Sequence, residues 1–170
     1  MEGKPRRVEQ KSARTGHSTS PSDSPAMSQI CAFANVRISL PTGWFDISDD
    51  LPEETPPTLA KQDGIGALQF SVAKYRSGPR PEINPANLDE LLEEFAKTQM
   101  LGAAADVVRG QSTSHYVGAS FSRGGDLVRV WYASNGTDVA LITFVAEAGR
   151  SDAAVELAEA GAIVRSLDFD

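Results

Sequence analysis

The sequence contains one cysteine, Cys31, and two histidines in 170 residues. One cysteine forms neither an intrachain disulfide nor a thiolate cage for a metal ion. A reducing, cytoplasmic location is therefore the simplest expectation. Cys31 has apolar neighbours and no electropositive setting that would activate a thiol, so we expect a small buried hydrophobic residue.

Long apolar runs are also missing. No run reaches the roughly 18 apolar residues that a membrane-spanning helix needs. The N-terminus has no apolar stretch of the kind found in secretory signals. These absences predict a soluble chain without a membrane span. Met27 could be the translation start instead of Met1.

Charge is unevenly distributed along the chain. Residues 1–30 carry five Lys or Arg side chains and three Asp or Glu side chains, a net charge of +2. Because the whole chain has a net charge of −7, residues 31–170 have a net charge of −9. An acidic domain repels phosphate backbones, so nucleic-acid binding is not expected. The polar composition of residues 1–29 predicts a disordered tail, followed by a single domain over residues 30–170.

The first half of the predicted domain has clear strand and helix patterns. Alternation predicts strands over residues 36–40 and 44–47, joined as a hairpin by the turn signal between them. A further strand is predicted from Gly66 to Tyr75, and Thr58–Lys61 is a shorter candidate. A helix should start at a cap formed by Asn84 or Asn87. It should end at Gly102.

The second half predicts an antiparallel series of strands and a closing helix. Glycine-rich and Asn-Gly turn signals separate three strands over residues 115–121, 127–133 and 139–146, and residues 106–109 are a possible addition. Ser151 is the expected cap of the last helix, with Val155 and Ala158 on its packed side. The whole order predicts an α+β fold, an antiparallel sheet of six or seven strands with two main helices packed on it. We expect Trp44 in the core, beside the first helix or its neighbouring strand.

Two short segments carry a family resemblance. Leu40-Pro41-Thr42-Gly43-Trp44, directly after a strand, resembles the opening of PsbP-like and DcrB-like domains. The ending over residues 162–169 is similar to the close of that superfamily, where a helix runs into a short extended segment. The resemblance implies a PsbP-like sandwich and a non-enzymatic module. Bacterial members of the superfamily include cytoplasmic chaperones that hold effector proteins before secretion, envelope proteins, and components of larger assemblies.

The sequence has no recognisable catalytic set. His115 opens a predicted strand, but a general base needs a nucleophile and an orienting acid at a recognisable spacing. Gly64-Ile65-Gly66 precedes a strand and lacks the third glycine of a dinucleotide-binding loop. The acidic segment from Asp46 to Glu54 lacks the spacing of a calcium-binding loop. We therefore expect no enzyme activity, no cofactor and no metal site.

Two loops remain as candidate binding segments, because recognition commonly lies on loops held by a rigid scaffold. Tyr and Arg are also enriched among interface hot spots. The predicted partner-binding residues are Asp49, Asp50, Glu53 and Glu54 in an acidic loop, with Tyr75, Arg76 and Arg80 in a proline-rich loop.

The function expected from these residues is that of a protein-binding accessory module. It would be a secretion-effector chaperone or a toxin-immunity protein, with the effector or toxin as its partner. The alternatives are a carrier of a small hydrophobic ligand and an enzyme of unrecognised chemistry. A chaperone should have an exposed apolar groove and form a homodimer. An immunity protein should have a charged or loop-rich face. A carrier should have an enclosed cavity.

Overall fold

A computed structural model describes residues 28–170 of the chain. The predicted disordered tail falls largely on residues 1–27, which lie outside the described residues. The described elements are β1 (Ser28–Phe33), β2 (Val36–Pro41), β3 (Trp44–Asp46), β4 (Thr58–Lys61), β5 (Gly66–Ala73), α1 (Pro85–Thr98), β6 (Ala105–Gln111), β7 (His115–Arg123), β8 (Asp126–Ser134), β9 (Val139–Glu147) and α2 (Ala153–Arg165). In this part of the chain, no helix has both the length and the apolar character needed to cross a membrane.

Seven strands form one antiparallel sheet in the order β3-β4-β5-β9-β8-β7-β6. One face of β7 and β8 packs against α1. The other face of the sheet packs against α2 and a separate β1–β2 hairpin. Side chains on both faces are buried in the central strands, so the sheet forms the middle of three layers. The predicted α+β fold, with a sheet of six or seven antiparallel strands and two helices, is confirmed.

The pairing of β2 differs from the prediction. β2 pairs with β1, not with β3, and β3 pairs with β4 instead. The turn between β1 and β2 is Ala34-Asn35, and both residues have positive φ values of 51° and 65°. Two consecutive positive φ values are typical of a type I′ hairpin turn, which usually contains glycine. Because this turn contains no glycine, the turn and the strand before it were not predicted from the sequence.

The start of α1 follows one of the two predicted alternatives. Asn84 is the cap: its side-chain Oδ1 accepts from the backbone N–H of Asn87 at 3.1 Å. Asn87 returns the interaction by accepting from the N–H of Asn84, also at 3.1 Å. Pro85 occupies the first helical position, where its missing N–H leaves no helical hydrogen bond unmade.

The prediction for α2 was wrong about both its cap and its packed side. The helix begins at Ala153 after Asp152, and neither Ser151 nor Asp152 supplies a side-chain cap. Val155 is 59% exposed, whereas Glu156 is only 4% exposed. The carboxylate of Glu156 accepts hydrogen bonds from the backbone N–H groups of Ile65 and Gly66, at 2.9 Å each. Because Glu156 is buried, the side of α2 that faces the core is not the one that the hydrophobicity pattern indicates.

Trp44 lies in the core, as predicted, with 5% of its surface exposed. It packs beside α2, however, and not beside α1, because β3 belongs to the part of the sheet that α2 and the hairpin cover. Its indole Nε1 donates to Glu159 Oε2 at 2.9 Å, and Lys61 Nζ lies 2.8 Å from the same oxygen. Cys31 is half-buried against this core, and burial together with Asp46 raises the pKa of its thiol.

This arrangement predicts acid sensitivity at Glu159. Burial acts to raise the pKa of Glu159, but the hydrogen bonds from Lys61 and Trp44 outweigh it and leave the pKa below its ordinary value of 4.5. A carboxyl with a lowered folded-state pKa contributes stability above its unfolded-state pKa and loses it as the pH falls through the folded-state value. Glu159→Gln should therefore flatten the loss of thermal stability below about pH 4.5. Melting curves against pH would measure this, with the exposed Glu93→Gln as control; parallel curves for wild type and Glu159→Gln would contradict it.

Candidate binding surface

Helix α1 covers only part of the face on which it lies. It packs on β7 and β8, while the residues of β5 and β9 on the same face are half-buried or exposed. We call the part of this face over β3, β4, β5 and β9 the open face.

An apolar row crosses the open face at right angles to the strands. Successive register pairs join Phe45 to Ala60, Ala60 to Ala67, Ala67 to Val145, and Val145 to Val128. Directly paired residues project from the same side of a sheet. Phe45 is 45% exposed and Val145 is 42% exposed, while Val128 is buried beside α1. The row is therefore a continuous apolar line that runs from the sheet edge to the helix.

The row ends in a cleft against the side of α1. The cleft has a volume of about 420 Å³, and Phe95 and Gln99 of the helix lie on one side of it, with Val128 and Val145 of the sheet on the other. Phe95 contacts Tyr132 edge to face, with ring centres 6.4 Å apart. The aromatic contact fixes Phe95 as part of a wall beside the open face.

Acidic groups lie around this surface. Burial raises the pKa of Tyr132, and the nearby carboxylate of Glu94 raises it further. Glu94 of α1, which is exposed, therefore lies near Tyr132 of β8. At the end of the sheet beyond the apolar row, Asp126 is the direct cross-strand partner of both Glu147 and Arg123, so two carboxylates and one cation lie there. Residues 28–170 carry a net charge of −9, which agrees with this local pattern.

The predicted acidic loop lies at the opposite end of the open face. Asp49 and Asp50 are in a 3-10 turn, Glu53 and Glu54 follow it, and all four are exposed. The loop is anchored to the sheet because the N–H of Thr58 donates to Ser48 Oγ at 2.9 Å.

The predicted proline-rich loop lies at the same end of the sheet, since β5 ends where β4 begins. Tyr75 donates from its backbone N–H to Asp138 Oδ1 at 2.8 Å, and its hydroxyl donates to the carbonyl of Gly78. Arg80 Nε donates to Thr137 Oγ1 at 3.0 Å, whereas Arg76 is exposed. The fold thus brings the two loops to one end, but among residues 28–170 no ion pair joins them. Their role in binding stays a prediction.

Sequence reasoning did not identify the open face. Strand alternation does place Ala67 and Val145 opposite the residues of the α2-side core, so the signal for a shared face was present. Which of two apolar faces a helix covers depends on tertiary packing. Within the described residues, no group of three or more acidic, His or Cys side chains converges as metal ligands would.

Comparison with known proteins yields matches in structure only. No protein-family model matches the chain, and no curated protein sequence matches it significantly. A crystal structure from Bacteroides thetaiotaomicron superposes with a TM-score of 0.54 at 17% identity, over 84% of this chain and 48% of that one. This chain thus spans about half of the Bacteroides protein's length. The solution structure of cyanobacterial PsbP (CyanoP) from Synechocystis superposes with a TM-score of 0.55 at 11% identity, over 91% of this chain and 99% of that one.

Proposed function

From a PsbP-like fold, we propose that this domain is a non-catalytic, protein-binding accessory module. Its open face takes up an amphipathic helix from a partner protein, and that helix carries basic residues along its edges. The observation that carries the proposal is the apolar row from Phe45 to Val145, exposed beside α1.

The dimensions of the open face favour a helix as the occupant. Neighbouring strands are about 4.8 Å apart, so the three spacings from β3 to β9 give a floor about 14 Å wide. An α-helix with its side chains is about 10–12 Å in diameter. One helix laid beside α1 would therefore cover the row and contact Phe95 with its flank. Helix-in-groove binding of this kind uses apolar anchors spaced along one helical side.

Charge complementarity favours basic edges on that helix. Glu94 lies near Tyr132 of β8, the strand next to β9. At one end of the open face, the carboxylates of Asp126 and Glu147 outnumber the single cation Arg123. The exposed acidic loop from Asp49 to Glu54 borders the other end. Complementary potentials steer encounter and discriminate against acidic partners.

An apolar groove favours the chaperone role over the toxin-immunity role within this proposal. A chaperone covers an apolar segment of an effector until secretion, whereas an immunity protein would rely on charged loops. The cytoplasmic location and the homodimer belong to the same proposal. A homodimer would have to leave the open face free for the effector.

The open face can be tested with two synthetic helical peptides that share one leucine-rich side. One peptide has lysine edges and the other has glutamate edges; binding is measured by fluorescence anisotropy. Val145→Glu should weaken binding of the lysine peptide at least tenfold, because it places a charge in the apolar row. Val155→Glu is the matched control, since Val155 is 59% exposed on α2, on the far side of the sheet. Equal effects of the two substitutions, or equal affinity for the two peptides, would contradict the proposal.

The loops give a separate prediction for the same complex. Neutralising Asp49, Asp50, Glu53 and Glu54 together should slow association and flatten its salt dependence, since rim charges act mainly on the encounter rate. Tyr75→Ala or Arg76→Ala should speed dissociation if either residue is an anchor costing more than about 1 kcal/mol. Stopped-flow binding at two salt concentrations separates these effects. If the acidic-loop variant and the Tyr75 and Arg76 variants keep the wild-type rates while Val145→Glu loses affinity, the binding site is on the sheet and not on the loops.

A further inference from the structure

A second cleft lies on the opposite face of the sheet, between α2 and strands β6, β7 and β8. It has a volume of about 430 Å³. The aromatic rings of Tyr116 and Trp131 line its sheet side, and Ala154, Ala158 and Gly161 line its helix side. A volume of this size is within the usual range for small-molecule pockets.

Glycines on the neighbouring strands shape the aromatic floor. A Cβ atom on Gly118 would lie 2.3 Å from Trp131 Cδ1, and one on Gly110 would lie 2.4 Å from the Tyr116 hydroxyl oxygen. No side chain at either position is compatible with these ring positions. Both rings therefore lie across the glycines; the Tyr116 side chain is half-buried and Trp131 is 3% exposed.

Arg129 projects into the cleft, and within residues 28–170 it has no charged hydrogen-bonding partner. The residue is only 6% exposed, and its guanidinium carbon lies 5.4 Å from the centre of the Trp131 ring. Its Nη1 donates to the backbone carbonyl of Asp106 at 2.7 Å and to Ser120 Oγ at 3.0 Å. None of the ion pairs found in residues 28–170 includes Arg129. The guanidinium is held in place by two neutral oxygens.

The opposite edge of the guanidinium, formed by Nε and Nη2, remains available. Neither nitrogen donates a hydrogen bond within the described chain. No buried side-chain nitrogen or oxygen in that part of the chain lacks a partner, so these two nitrogens reach the solvent of the cleft. The Nε–Nη2 edge presents two parallel N–H groups, the geometry that binds a carboxylate through both oxygens.

The electrostatic setting also calls for an anion. Burial lowers the pKa of Arg129, while the Asp106 carboxylate acts in the opposite direction. A buried cation without a bound counter-charge is costly, so an anion that enters gains a pre-positioned partner. Arg165 adds a second cation to the cleft lining, and Asp106 is the carboxylate among the lining residues. Two cations and one carboxylate leave the cleft lining with a net charge of +1, which favours a singly charged ligand over a phosphate dianion.

We propose that this cleft binds a carboxylate carried on a flat apolar body. The carboxylate pairs with the Nε–Nη2 edge of Arg129, and the body lies along the cleft against the exposed Ala154 and Ala158 of α2. The carboxylate has two possible sources, a free small molecule or the C-terminus of a polypeptide ending in an aromatic residue. The site is on the far side of the sheet from the open face, so it does not depend on the proposed function.

The test uses the full chain and two matched pairs of probes. The first pair is 2-naphthoate and its neutral amide; the second is a short peptide ending in phenylalanine, with a free or an amidated C-terminus. Binding is followed by the NMR shift of the Trp131 indole N–H and by calorimetry. At least one carboxylate should bind tenfold or more tightly than its amide. The pair that shows this difference identifies the source.

Three variants locate the binding to the cleft. Arg129→Lys keeps the charge but removes the two-point edge, and should weaken carboxylate binding at least tenfold. Ala158→Leu leaves Arg129 intact and fills the cleft, so it should weaken binding to a similar extent even if Arg129→Lys does not fold. Ala162→Leu is the matched control on an exposed position of the same helix, outside the cleft lining. Equal binding of acid and amide, no binding of either carboxylate at millimolar concentration, or unchanged binding in Ala158→Leu would overturn the proposal.

Discussion

Replacing Trp44 with alanine is expected to lower the free energy of unfolding by about 3–5 kcal/mol. The side chain is 5% exposed and packs in the core formed by α2, the β1–β2 hairpin and the sheet. Its removal loses the transfer free energy of the indole and leaves a cavity between the β3 edge and α2. It also removes the indole donor from Glu159, which then keeps Lys61 as its side-chain partner among residues 28–170.

Urea denaturation monitored by far-UV circular dichroism would measure this effect. Trp44→Phe is the informative control, because it keeps most of the apolar volume but loses the hydrogen bond to Glu159. Its cost should be about 1–2 kcal/mol from the lost bond and the reduced volume. A loss below about 1 kcal/mol in Trp44→Ala would show that the β3 edge contributes little to the core.

Replacing Glu156 with alanine should lower the free energy of unfolding by about 2–4 kcal/mol. The carboxylate accepts from two backbone N–H groups, those of Ile65 and Gly66, at 2.9 Å each. Without it, both donors lose their partner beneath α2. A buried donor without an acceptor costs about 1–3 kcal/mol.

Thermal and urea unfolding of three variants would test the role of Glu156. Glu156→Gln should have an intermediate effect, because an amide has only one accepting oxygen for the two donors. Glu93→Ala, an exposed substitution on α1, should change stability by no more than about 0.5 kcal/mol. If Glu156→Ala behaves like Glu93→Ala, the carboxylate does not hold the segment before β5 to the helix.

Much of the sheet was predictable because alternation and turn chemistry agree there. Gly124-Gly125 and Asn135-Gly136 have positive φ at their glycines and join β7, β8 and β9 as expected. The β1–β2 turn was missed because Ala34 and Asn35 adopt the same region without glycine. Local signals thus predict strands and turns when glycine occupies the turn positions that have positive φ.

Two other missed features depend on polar side chains in apolar surroundings. Glu156 orients α2 through backbone donors that lie 90 and 91 residues away in the sequence. Arg129 lies between two apolar residues in β8, a pattern that predicts a solvent-exposed charge on one face of the strand. In the structure, α2 covers that face. One signal was present, because Trp131 shares its face with Arg129 and a lone cation beside a core tryptophan is unusual.

Strand β6 forms one outer edge of the sheet, and such an edge could pair with another chain. Val107 and Val108 on it are 44% and 40% exposed. The register of β6 against β7 shifts between Ala105 and Val108, and Asp106 within the shift has a positive φ of 49°. A bulge of this kind interrupts the regular row of backbone donors and acceptors that a foreign strand would need. The Asp106 carbonyl that accepts from Arg129 therefore lies in the same bulge that we expect to disfavour edge-to-edge pairing.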